Sequence, residues 1–231
     1  MTTILMYVAA LLPVFALLTY VYWKDPNKEP FWQVIKAFLW GMAICMPVAM
    51  VELAVSYGLF GDNLTPVSLF GTTMRAFFVA ALPEEAAKLL ALWIVLHKNS
   101  HFDETFDGIV YAVCVGLGFA AVENISYVVG AENWTTVAIM RAVLAVPGHY
   151  AFAIMMGYYY SVFHFIDHSA KKGFCVLFVP FMAHGVYDSL AMSGMADPLM
   201  GGIAFFVLIF FCIKMQKQAH RRIIELARNS R

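Results

Sequence analysis

The sequence predicts an all-α fold, a polytopic membrane helix bundle, and three observations support this prediction. Of the 231 residues, 62% are hydrophobic and only 13% are charged, with a mean hydropathy of +0.74. A soluble domain is about half apolar and about a quarter charged, and one of this size could not bury so much apolar surface. Seven stretches are apolar over about the 20 residues that cross a bilayer, where backbone groups require helices. These observations exclude a water-soluble enzyme, a coiled coil and a disordered chain.

Each predicted span is an apolar stretch that ends at polar residues. The first has no charged region before it and continues into Trp23 and Lys24 without a small-residue cleavage site. It is therefore predicted to be a retained helix and not a signal peptide. The seven predicted spans are residues 4–23, 37–60, 74–96, 108–129, 138–163, 174–192 and 199–215.

The positions of Lys and Arg predict the orientation. Both are absent from the loops 61–73, 130–137 and 193–198, whereas each of the other loops contains at least one Lys and the tail 213–231 is rich in Lys and Arg. By the positive-inside rule the N-terminus lies outside and the C-terminus is cytoplasmic. We interpret the tail as a positive-inside anchor in preference to a basic helix lying on the inner surface.

Composition gives no indication of further domains or of a nucleic-acid partner. Fifteen basic and fifteen acidic residues leave a formal charge of zero, and no internal repeat is visible. We expect one integral-membrane domain over 1–231, with its chemical motifs in 83–188. The four cysteines lie singly in apolar stretches, so neither disulfides nor a thiolate metal site is predicted.

Ionisable side chains inside the predicted spans are the main functional signal. Such groups are costly in lipid and usually face a polar interior. At a rise of 1.5 Å per residue, Glu84, His149 and His184 all lie about 15 Å deep. Arg75 and Arg141 lie in the first turns of their spans and are expected to extend to the outer surface. The deeper groups are Glu52, Glu84, Glu85, Lys88, Glu123, His149, His184 and Asp188.

Short spacings indicate which of these groups interact within one helix. Lys88 is four residues from Glu84 and three from Glu85, so it can pair with either on one helix face. His184 and Asp188 are likewise four residues apart. Pro83 and Pro147 predict loosened or kinked turns just before the acids and before His149, because proline lacks an N–H group.

Each feature taken alone has a structural explanation. Glu84 with Lys88 could be a buried ion pair, either histidine could form an interhelical hydrogen bond, and Asp188 could merely orient His184. For Glu52 we favour a hydrogen bond to a neighbouring helix. Costly groups from several helices at one depth are hard to explain by packing, so together they predict a shared site.

Five motifs resemble those of the PrsW family of intramembrane proteases. They are Pro83-Glu84-Glu85-Ala86-Ala87-Lys88, Phe106-Asp107-Gly108-Ile109-Val110-Tyr111, Gly116-Leu117-Gly118-Phe119-Ala120-Ala121-Val122-Glu123-Asn124, Gly148-His149 and His184-Gly185-Val186-Tyr187-Asp188. The family is distantly similar to CAAX prenyl endopeptidases and their bacterial immunity-type relatives.

The resemblance implies an intramembrane endopeptidase of the bacterial inner membrane. It also implies a single-span membrane protein as substrate, similar to an anti-sigma factor, cut on its outer side. By analogy Glu84 would deprotonate the attacking water, with Glu85 and Lys88 setting its charge state. His149 and His184 would position the water or stabilise the oxyanion. Lys88, Glu123, Asn124 and Asp188 are the expected supporting residues.

Two versions of this mechanism remain open. In one, the histidines donate hydrogen bonds and no metal takes part. In the other, His149, His184 and Glu123 bind Zn²⁺ as a His₂Glu set, with Asp188 as an additional or outer ligand. The sequence favours the metal-free version, because HExxH is absent and the candidate ligands come from three separate helices.

A proton-coupled transporter is the alternative from another functional class. Buried Glu, Asp and His residues also suit a proton pathway. Transporters often contain repeated halves with interrupted helices, and this chain shows no such symmetry.

Overall fold

The computed structural model describes residues 2–61 and 68–229, and within these ranges the chain is helical without strands. Asp62 and Asn63 of the predicted loop 61–73, and Arg231 of the tail, lie outside the described residues. The helices are α1 (Thr2–Lys24), α2 (Phe31–Phe60), α3 (Leu69–Met74), α4 (Leu82–Leu96), α5 (Asp107–Gly130), α6 (Trp134–Met140), α7 (Val146–Ser161), α8 (Ala170–Met192) and α9 (Pro198–Asn229). The π-helical segments are Arg75–Ala81, Arg141–Ala145 and Val162–Ile166, and a 3-10 turn covers Ser193–Met195.

The predicted membrane helices are confirmed. Among the described residues, six helical stretches are long and apolar enough to cross a bilayer. The remaining predicted span, 74–96, lies in a continuous helical stretch that begins earlier, at Leu69. This stretch carries the charged residues Arg75, Glu84, Glu85 and Lys88.

Helix α5 lies at the centre of the bundle. Every residue from 106 to 121 is buried, so this helix contacts protein on all sides. Glycines allow the close approach of its neighbours. A Cβ atom added at Gly118 would overlap the Phe38 carbonyl of α2, and one at Gly157 of α7 would overlap the Gly108 carbonyl. Small residues at such contacts are typical of packed membrane helices.

Both prolines that precede the site residues follow a π-helical segment. The N–H of Leu82 bonds the Phe77 carbonyl, and the N–H of Val146 bonds the Arg141 carbonyl, each five residues back. Because proline offers no N–H, the widened turn helps to accommodate the interrupted hydrogen-bond ladder. The irregular turns predicted at Pro83 and Pro147 are therefore confirmed.

The basic tail continues α9 without a break and packs against the bundle. Ala219, Ile223 and Leu226 are buried in the core. The Tyr158 hydroxyl of α7 donates to Glu225 at 2.9 Å. The tail thus contributes to the packing of the protein and is not a separate helix.

The α1–α2 and α4–α5 loops meet at the start of α5. The Asn27 side chain donates to Glu104 Oε2 at 2.8 Å, which joins the two loops. The backbone N–H groups of Asp103 and Glu104 donate to Asp107 Oδ2. Burial raises the pKa of Asp25, in the first loop, from 3.8 to about 6.

Candidate active site

Lys88 lies between the two glutamates, as its spacing predicts. Its Nζ is 2.8 Å from Glu84 Oε2 and 2.9 Å from Glu85 Oε1, and all three side chains are buried. The same ammonium lies 3.2 Å from His149 Nδ1, which connects α4 to α7. One positive charge therefore serves two carboxylates.

His184 is held between two carboxylates. Its Nδ1 lies 2.8 Å from Glu85 Oε1 of α4, and its Nε2 lies 3.3 Å from Asp188 Oδ2 one turn later in α8. Its ring stacks on Phe152 of α7, with ring centroids 4.7 Å apart. These contacts fix the orientation of the imidazole.

His149 is held by Glu123, and Glu123 is held by Arg141, a residue that was expected at the outer surface. His149 Nε2 lies 2.7 Å from Glu123 Oε2, and an Arg141 terminal nitrogen lies 3.1 Å from the same oxygen. The expectation that Arg141 extends to the outer surface is wrong, because Glu123 and Asn124 offer it acceptors inside the bundle. Arg75 is also buried, with a hydrogen bond to Ser56 Oγ at 2.8 Å.

Asn124 is a bridge between helices and does not border the cavity described below. It accepts a hydrogen bond from Arg141 Nε at 2.6 Å and donates one to the Ala10 carbonyl of α1, also at 2.6 Å. Asn124 therefore supports the site through Arg141.

Several of the predicted site residues border one cavity of about 1020 Å³. Glu84, Glu123, His149 and His184 come from four helices and all line it, so the structure brings together groups that are distant in sequence. Glu85 and Lys88 lie behind this wall. Most of the remaining lining is apolar and includes Cys45, Met46, Ala49, Phe119, Leu144, Phe152, Leu190, Met195, Phe205 and Leu208.

Two further carboxylates, Glu52 and Asp188, border the same cavity. Asp188 approaches His184, as described. The hydrogen bond expected from Glu52 to a neighbouring helix is not formed among the described residues. Glu52 instead adds an acidic group to the α2 wall.

Three side chains fit a metal ion by geometry and chemistry. One ligand atom from each of Glu84, His149 and His184 lies within 4.8 Å of the other two, and all three residues are buried. Two imidazoles and one carboxylate form a common catalytic zinc set. Glu123, which the sequence analysis placed in this set, lies outside the three-residue group but contacts His149, so it would act as an outer partner.

The comparisons with known proteins identify the family of the chain. The family described as PrsW family intramembrane metalloprotease matches residues 29–215. The chain belongs to the PrsW family. The resemblance found in the sequence is thereby confirmed.

Several curated relatives carry the name "Protease PrsW". Relatives from Oceanobacillus iheyensis and Geobacillus kaustophilus are 35% and 33% identical to the chain, over 87% and 91% of it and 89% and 90% of their own lengths. A relative from Bacillus subtilis is 32% identical over 91% of the chain and 94% of its own length. No solved structure matches the chain.

Family membership makes this protein a peptidase and a multi-pass bacterial membrane protein. The transporter alternative is not favoured. The description of the family as metalloproteases is compatible with a zinc site.

Proposed function

We propose that this protein hydrolyses a peptide bond of a single-span, membrane-anchored protein, using water activated next to Glu84. The observation that supports this most strongly is the convergence of Glu84, His149 and His184 on one cavity among membrane helices. A cavity of this size has room for water and for a segment of a peptide chain beside these groups.

Glu84 and Glu85 have different roles in this proposal. Glu84 borders the cavity, whereas Glu85 is fully buried and bonded to Lys88 and His184. Only a carboxylate at the cavity surface can contact the attacking water, so we assign that contact to Glu84. Glu85 is a positioning residue that holds Lys88 and the His184 ring.

Glu84, His149 and His184 would hold zinc, and the family description supports this form of the site. When bound, zinc supplies Lewis-acid polarisation of the water and of the scissile carbonyl. Glu123, which also borders the cavity, would then accept the proton of the water. Without zinc, Glu84 itself would accept that proton, as a general base does.

The proton on the glutamate completes the reaction. Attack by the water oxygen forms the new C–O bond and places negative charge on the carbonyl oxygen. Collapse of this species breaks the C–N bond, and the glutamate returns its proton to the leaving nitrogen. In the metal-free form, His184 Nδ1 stays with Glu85, and its Nε2 can turn from Asp188 to donate a hydrogen bond to the carbonyl oxygen as its charge develops.

An anti-sigma-factor-like protein is the substrate that we propose. The cavity walls outside the polar cluster are apolar and are formed largely by α2, α8 and α9. They suit a segment of a membrane-anchored chain better than a free polar peptide.

The function is tested by reconstituting the purified protein in lipid vesicles with a single-span anti-sigma-factor-like protein. We expect two fragments from the substrate, and their loss with Glu84→Gln. Glu132→Gln, at an exposed loop position, is the matched control and should cleave normally. Ion flux into the vesicles without any cleavage would contradict the proposal and support a transporter.

Zinc is tested by elemental analysis of the same preparation. We expect about one zinc ion per chain, loss of cleavage after chelation, and recovery when zinc is added back. A zinc-free preparation that cleaves equally well before and after chelation would contradict the zinc form. Glu84 would then be the base of a metal-free reaction.

A further inference from the structure

A second cluster of acidic side chains lies at the opposite end of α5 from Glu123. Asp107 and Glu123 are 16 residues apart in one helix, which corresponds to about 24 Å at 1.5 Å per residue. This second cluster combines Asp25 of the α1–α2 loop, Glu104 of the α4–α5 loop and Asp107 of α5. It is therefore separate from the active site.

The carboxylates of this cluster lack sufficient partners. Asp107 is fully buried, and its Oδ1 has no hydrogen-bond partner among the described residues. Glu104 Oε1 is also buried and has no hydrogen-bond partner among the described residues. A buried anionic oxygen without a donor or a cation nearby is strongly unfavourable, so these oxygens point to a missing ligand.

No basic side chain of the described residues forms an ion pair with these three carboxylates. Lys28, the lysine of the same loop, directs its Nζ to the backbone carbonyls of Trp23 and Asp25. Glu29, also buried, adds a fourth acid that accepts a hydrogen bond from the Tyr111 hydroxyl. Among the described residues, these four acids therefore have no ion pair that balances their negative charge.

We propose that Asp25, Glu104 and Asp107 bind a hard divalent cation, Mg²⁺ or Ca²⁺. One carboxylate oxygen from each residue lies within 4.8 Å of the other two. Oxygens bound to one Ca²⁺ at about 2.4 Å can be up to about 5 Å apart, so the three atoms can reach a common ion. An all-oxygen donor set suits these ions and not zinc, which prefers nitrogen and sulfur ligands.

The ion would connect two loops to the start of the central helix. The α4–α5 loop follows the helix that carries Glu84, and α5 carries Glu123. The cation would thereby stabilise the relative position of two helices that supply the active site, without contacting substrate. This role does not depend on the proposed peptidase mechanism.

Binding is tested on the full-length protein in detergent after removal of divalent ions. We expect added Mg²⁺ or Ca²⁺ to raise the Tm by about 5 °C, as a ligand well above its Kd does. Bound Tb³⁺, a Ca²⁺ probe, should luminesce when tyrosine is excited, because Tyr111 lies next to the cluster. Excess Ca²⁺ should displace it.

Substitutions of single residues test where the cation binds. Glu104→Gln should lose the Tm rise and at least tenfold in Tb³⁺ affinity, whereas Asp103→Asn, at an exposed position of the same loop, should keep both. Glu84→Gln should also keep both, which separates this site from the active site and from any failure of the proposed function. Two results would overturn the proposal. One is equal Tb³⁺ binding by Glu104→Gln and the wild type. The other is no change in Tm with either cation at 10 mM, which is roughly a hundredfold above a Kd of 10⁻⁴ M. The second would mean that protons alone compensate the acids.

Discussion

Individual side chains of the active site differ in whether they contact the cavity or hold a neighbour in place. Glu84, Glu123, His149 and His184 border the cavity, whereas Glu85 supports from behind. We therefore expect substitutions of the two kinds of residue to differ in their effects on activity and on stability.

Glu85→Gln should lower the stability of the protein more than Glu84→Gln does. Glu85 contacts both Lys88 and His184 at hydrogen-bond distance, whereas Glu84 contacts Lys88 and lies 4.0 Å from His184. Breaking a buried ion pair costs about 3 kcal/mol. For a chain of this length that corresponds to a fall in Tm of about 6–12 °C. Thermal unfolding in detergent measures the change in Tm; equal Tm values for the two variants would contradict the supporting role of Glu85.

Arg141→Gln should lower kcat/KM for the membrane substrate by about 10–100-fold with little change in helix content. The arginine positions Glu123, which in turn holds His149, and loss of such outer partners has effects of this size in metal sites. Arg141→Lys should recover part of the activity because it keeps the charge near Glu123. Arg221→Gln, at an exposed position of α9, is the control; activity unaffected by Arg141→Gln would remove Arg141 from the site.

The helices bring the site residues together because they pack closely on α5 and contain irregular turns. The spans and the packing glycines were predictable, because length, hydropathy and small residues carry that information. The role of Arg141 was not predictable from a regular helix. The eight residues from Arg141 to His149 make about 2.2 regular turns, but the π-helical segment takes up nearly one extra residue and brings both side chains to one face.

Gly118→Ala should destabilise the protein by about 1–3 kcal/mol, because the added methyl group meets the Phe38 carbonyl and forces α2 away from α5. Gly58→Ala, in α2, is the matched control. It has open space at the Cβ position and should be neutral or slightly stabilising, since alanine is the better helix former. Unfolding in detergent compares the two variants; similar Tm values would mean that the α2–α5 contact is looser than the structure indicates.

The whole molecule is a helix bundle with two clusters of buried carboxylates, one at the start of α5 and one around Glu123. The sequence predicted that Glu84, His149 and His184 share a depth, but depth does not define how each helix is rotated. For that reason the sequence alone grouped Glu123 with the histidines, whereas the structure groups Glu84 with them. The proposed cation site at the start of α5 was not predicted from the sequence, because its members come from two separate loops and a helix.

Orientation in the membrane is still a prediction from the basic loops. In intact cells, an impermeant maleimide should label Glu132→Cys, in the α5–α6 loop, and should label Lys98→Cys only after permeabilisation. The unsubstituted protein is the control, because three of its four free cysteines are buried. The reverse labelling pattern would place the N-terminus inside.

The cleavage rate of combined variants tests most directly whether Glu84, His149 and His184 act as one unit. Residues that act together in one step have strongly non-additive effects. We predict that Glu84→Gln and His184→Ala each lower single-turnover cleavage of the reconstituted membrane substrate by at least about 10³-fold, and that the double variant is no slower. Rate losses that multiply in the double variant, or normal cleavage by either single variant, would contradict a shared site.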